Sequence, residues 1–94
     1  MDRTIYDVTV KCPPQVKKGK QQVVCHASVR EDGDFLVFDF EESHRYFQRL
    51  RFELKEGYTL EYSQGTAKLL SVWRDDEEGE KHPNLMHCKA EKVA

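Results

Sequence analysis

Asp32 and Gly33 stand between two stretches, 23–29 and 35–40, in which apolar residues recur at every second position. Period two places successive side chains on opposite faces of a strand. An Asp-Gly pair between two such runs signals a hairpin, because both residues tolerate the positive φ of a two-residue type I′ turn. A loop of these two residues predicts that Val29 faces Leu36, Ala27 faces Phe38 and Cys25 faces Phe40, all on one side. A one-residue slip would set the same residues against charges. The opposite face then carries the pairs Arg30–Phe35, Ser28–Val37, His26–Asp39 and Val24–Glu41.

The second run is apolar on both faces, which a half-buried strand does not require. With Val23, Cys25, Ala27, Val29, Leu36, Phe38 and Phe40 committed to a core, Phe35 and Val37 remain on the other side. Rimmed by Arg30, Asp34 and Asp39, they have the make-up of an interface centre with a polar edge. Phe35, Val37, Arg30 and Asp39 are therefore expected to contact a protein partner or a second copy of the chain.

The remainder also reads as β. Residues 4–12 alternate, with Tyr6, Val8, Val10 and Cys12 on one face, and Pro13-Pro14 ends that strand. Leu50, Phe52 and Leu54 fit period two. A loop at 55–57 with Gly57 in the left-handed position predicts a second hairpin that pairs Leu54 with Tyr58, Phe52 with Leu60 and Leu50 with Tyr62. Phe47, Leu50 and Leu54 could instead line a helix, but Phe52 would then point away, so a single helical turn is expected near 42–47. Residues 66–73 and 85–90 read as further strands, and 74–84, without an apolar side chain, as a surface loop. Six or seven short strands in 94 residues make one all-β domain spanning 1–94, a small antiparallel barrel or sandwich. The stretch PPQVKKGKQQVVCHA resembles the early strands of immunoglobulin-type sandwiches. The partner cysteine and the core tryptophan spacing are absent, so that topology ranks second.

No apolar run approaches the roughly 18 residues of a membrane span, and Met1-Asp2-Arg3-Thr4 does not open a secretory signal. Cys12, Cys25 and Cys88 are odd in number and widely spaced, which suits a reducing compartment rather than a disulfide framework. A cytoplasmic location without membrane contact is the expectation. The pairs Cys25-His26 and His87-Cys88 hint at zinc, but neighbours on a strand point to opposite faces and cannot converge on one ion. His26, Ser28 and Asp39 sketch a nucleophile, base and orienting acid. Ser28 and His26 are two residues apart on a strand, roughly 6–7 Å, and no oxyanion hole accompanies them. No phosphate-binding loop, dinucleotide fingerprint or HExxH sequence occurs. The residues thus predict no enzyme, no metal and no cofactor.

Charge is segregated, although the net value is only −2. Lys11, Lys17, Lys18 and Lys20 form one basic block. On a strand, Arg45, Phe47, Arg49 and Arg51 would share a basic face with an aromatic set into it. Acids cluster at 31–42 and 75–80. Segregated signs steer and orient a partner. The leading expectation is a stand-alone, non-enzymatic binding module that engages a larger protein or nucleoprotein. Adaptor subunits and inhibitors encoded by phages or mobile elements are classes of that kind. The alternative is a small barrel that binds single-stranded nucleic acid through Arg45, Phe47, Arg49, Arg51 and the 17–20 lysines, by phosphate contacts and base stacking.

Overall fold

The computed structural model describes residues 4–14, 21–75 and 84–93. Its elements are β1 (Ile5–Lys11), β2 (Gln22–Asp32), β3 (Phe35–Ser43), α1 (His44–Arg49), β4 (Thr59–Tyr62), β5 (Gly65–Arg74) and β6 (Leu85–Val93). The six strands close into an antiparallel barrel in the order β1-β2-β3-β6-β5-β4. Closure, rather than two facing sheets, decides between barrel and sandwich.

Alternation explains why the chain can close. Each strand sends one set of side chains inward, and the interior is filled by Val8, Val10, Cys25, Ala27, Phe38, Phe40, Leu60, Ala67, Leu69, Cys88 and Ala90, all almost wholly buried. Phe38 lies among aromatics, 6.4 Å from Phe40 and edge-on to Tyr62 at 5.3 Å between ring centroids. Burial raises the Cys25 and Cys88 thiols far above the ordinary range. They stay protonated, and the Cys25 Sγ donates to the Val8 carbonyl.

The first hairpin forms with its faces as expected but its register moved. Asp32 pairs with Phe35, Val29 with Phe38 and Ala27 with Phe40, so Val29 does not face Leu36. The loop is Gly33-Asp34. Only Gly33 has positive φ, at 65°, the pattern of a type II′ turn with glycine first. Moving the loop by one residue shifts the pairing by two, and a shift of two preserves which side each residue faces.

The second hairpin does not exist. Residues 44–49 are helical, 52–55 have no regular secondary structure and join no ladder, and β4 pairs with β1 and β5 instead. Phe52 therefore does not face Leu60, although Gly57 does turn with φ 93°. The apolar residues explain this hybrid. Phe47, on the inner side of α1, reaches the core edge-on to Phe40 at 5.8 Å. Phe52 and Leu54 then follow with period two and are both buried, Phe52 against Tyr58. The helix gives way to irregular chain at Arg51, which takes φ 55°. The Arg51 amide donates to the Gln48 carbonyl and the Phe52 amide to the Phe47 carbonyl, each at 3.0 Å. That is a Schellman ending with arginine where glycine is usual.

The strand-borne basic face falls with this hairpin. Phe47 is 2% exposed and belongs to the core, while Arg45, Arg49 and Arg51 lie exposed on and just after the helix. Lys17, Lys18 and Lys20 lie outside the described residues.

Candidate functional site

The strand β4 has four residues and its neighbour β5 has ten. Their ladder ends at Lys68, and the pair of bonds between Leu69 and residues 57–58 extends it by one step. Beyond that point the second half of β5 and the segment 51–54 diverge. Between them lies a groove of about 600 Å³, walled by Val72, Trp73 and Arg74 on one side and by His44, Gln48 and Arg51 on the other. Phe47, Phe52, Leu54 and Met86 give it an apolar floor.

A β-bulge determines which β5 side chains meet this groove. Leu69 pairs with Ala90 but Ser71 pairs with Lys89, so Leu70 is an extra residue. After it the alternation inverts. Val72 takes the inward position opposite Cys88, and Trp73 takes the outward position opposite His87. Trp73 is consequently 43% exposed. Its ring stacks on the His87 imidazole at 5.6 Å and 18° between planes.

His87 is itself fixed from both sides. Its Nδ1 lies 2.8 Å from Asp39 Oδ1, and its Nε2 lies 2.8 Å from Asp75 Oδ1. Asp39 also accepts a hydrogen bond from Arg30 Nε at 2.9 Å. Burial raises the affinity of Asp39 for a proton, but the hydrogen bonds from Arg30 and His87 outweigh it and hold the carboxyl below its usual range. A chain of polar contacts thus runs from β2 through β3 and β6 to the indole on β5. Asp39→Asn is expected to lower stability at neutral pH by about 1–2 kcal/mol. A depressed carboxylate stabilises above its unfolded pKa, about 3.9, and this contribution is lost as pH falls through the folded value. The gap between wild type and variant in urea melts should therefore narrow below about pH 4.

Arg30 and Asp39, expected to rim a contact, both belong to this network, Arg30 with an exposed side chain and Asp39 with a largely covered one. Val37 is 4% exposed rather than open. Its cross-strand neighbours are Arg30 and Lys89, long side chains whose aliphatic stems shield apolar surface. Phe35 is half-buried, with Lys89 Nζ 4.5 Å from its ring centre. The apolar outer face of β3 is thus covered in part by the chain's own cationic side chains.

His26, Ser28 and Asp39 do not converge. Ser28 is opposite Asp39, while His26 binds Glu42 through Nδ1 at 2.7 Å and lies 3.3 Å from Asp7. The Glu42 hydrogen bond raises the His26 pKa, and Asp7 adds to it. Cys25 and Cys88 point into the barrel, whereas His26 and His87 point out of it, to opposite sides of the wall. Among the described residues no group of three or more histidine, cysteine or acidic side chains is placed to hold a metal ion.

The groove residues that sequence reasoning passed over are Trp73, Arg74, His44 and Gln48. One signal was present: the only tryptophan of the chain immediately precedes its longest polar stretch. The molecule is a six-stranded antiparallel barrel with an aromatic- and arginine-walled groove beside a short helical cap, and none of its described helices is long and apolar enough to cross a membrane. Comparison of the chain with protein-family models, with curated proteins and with solved structures finds no match.

Proposed function

We propose that this protein is a non-enzymatic binding module and that it engages a protein partner through the groove beside Trp73. The observation that carries this reading is the exposed indole, stacked on His87 at a groove with an apolar floor that Arg51 and Arg74 also line. Tryptophan and arginine at a pocket lined by buried apolar groups are the residues that dominate binding energy at protein interfaces. Among the described residues neither Arg51 nor Arg74 has an ion-pair partner, and Glu53 has Lys55 3.8 Å away. The arginine charges are therefore available to a ligand.

A single-stranded nucleic acid is the second reading, favoured by the proximity of Arg51 and Arg74 to a stackable ring. The apolar depth of the groove and the acidic block that begins at Asp75 favour protein. A pull-down with and without nuclease separates the two. The partner retained by wild type is expected to be protein, to survive nuclease treatment and to be lost with Trp73→Ala. Retention that disappears with nuclease assigns the groove to nucleic acid.

Arg51 gives a second test. A non-glycine residue in the left-handed region costs about 1–2 kcal/mol, and glycine returns roughly 0.5–1 kcal/mol of that through its freer unfolded state. Arg51→Gly is therefore expected to raise stability by up to about 1 kcal/mol, read as a Tm increase of a few degrees. It should weaken partner binding at the same time. The side chain removed by this substitution is one of the two guanidinium groups that line the groove.

A further inference from the structure

We infer that the partner presents an extended acidic segment, which adds as a strand to the open edge of β5. This inference rests on the protein-binding reading and specifies how the groove is used. On one side β5 is bonded to β6 as far as Arg74 opposite Met86. On the other side, among the described residues, no backbone hydrogen bond reaches β5 beyond Leu69. Among the described residues, the peptide groups at 71–74 that point away from β6 have no backbone partner, and they flank a groove rather than a wall. Such an edge is a template for another strand. Four residues at about 3.3 Å each give it a length of roughly 13 Å, enough for a short extended peptide.

Shape and charge define the occupant. Along an added strand alternate side chains point the same way, so residues two apart would face the groove floor of Phe47, Phe52, Leu54 and Met86. Arg74 lies opposite Met86 at the end of β5 and, like Arg51, is exposed and lines the groove. Two guanidinium groups without an ion-pair partner among the described residues, beside an apolar floor, select a segment that carries a carboxylate and an apolar residue on one face, two positions apart. The intervening side chain would meet the indole of Trp73. Behind this wall the buried His44 Nδ1 has no hydrogen-bond partner among the described residues.

A displayed library of random eight-residue peptides, selected on the immobilised full chain, tests this. The enriched sequences are expected to be acidic, with an apolar residue two positions from an Asp or Glu. A synthetic peptide of the enriched sequence should slow amide hydrogen exchange at 71–74. Its affinity should fall at least tenfold when backbone nitrogens that face β5 are methylated, and at least tenfold with Arg74→Ala. Enrichment of basic sequences, no enrichment at all, or an affinity insensitive to N-methylation overturns strand addition. If the pull-down still recovers a Trp73-dependent protein in that case, the groove remains the binding site and only its mode of use is wrong. Displacement of the peptide by a twelve-nucleotide thymidine strand, with tighter binding of that strand, would assign the groove to nucleic acid instead.

Discussion

Trp73→Ala is expected to weaken partner binding by about thirtyfold or more, the loss that follows when a central aromatic anchor worth about 2 kcal/mol is truncated. Folding should be almost untouched. The indole is 43% exposed and contributes little to the interior, so stability should change by less than about 1 kcal/mol. The same residue provides the measurement. It is the only tryptophan in the chain, so its emission reports on the groove alone and should shift to the blue when a partner excludes water. Binding that persists at full strength in the alanine variant would remove the groove from consideration.

Phe47→Ala is expected to have the largest effect on stability, a loss of about 3–5 kcal/mol. Its ring is the buried side chain of α1, and it packs edge-on to Phe40 and to Tyr46. A helix of six residues has too few internal hydrogen bonds to stand alone. Tertiary packing of this ring therefore holds the cap, and with it the 51–54 wall of the groove. Urea unfolding should show a lowered midpoint for the variant, and binding should fall along with it. If the residues of α1 formed the strand suggested by period two, with Phe47 outward among arginines, truncation would cost a few tenths of a kcal/mol at most. The measurement therefore distinguishes the two structures directly.

The same residues show how far the sequence could be read. Alternation in 23–29 and 35–40 correctly placed Cys25, Ala27, Phe38 and Phe40 inside, because parity depends only on side-chain chemistry. It could not distinguish Asp32-Gly33 from Gly33-Asp34 as the loop, because each is an acceptable two-residue turn and both give the same parity. Around residue 50 two periods overlap. Phe47 obeys the helical one, Phe52 and Leu54 the extended one, and the switch falls on Arg51, a residue type that gives no warning of positive φ. The exposed position of Trp73 was hidden for a related reason. Strict alternation from Ala67 and Leu69 carries an inward assignment through to Trp73, and nothing in the run Leu69-Leu70-Ser71 marks the extra residue. The cover over Val37 was not legible either, because it comes from β2 and β6 residues that become neighbours of β3 only in the folded barrel.

The bulge at Leu70 has a consequence for how such a site arises. Were Leu70 removed, Ser71 would follow Leu69 directly and keep Lys89 as its partner, Val72 would stay inward opposite Cys88 and Trp73 outward opposite His87. The bulge thus absorbs one residue and leaves the ladder intact on both sides of it. The indole would turn into the barrel only if the strand were flattened with Leu70 in place, which would set Leu70 against Lys89 and Trp73 against Met86. On this scaffold the recognition surface depends on where the strand accommodates its extra residue as well as on which residues it carries. Barrels of the same strand order that differ by one residue at this position would share both core and outer face. Aligning their sequences without a gap there would assign every later side chain of the strand to the wrong side.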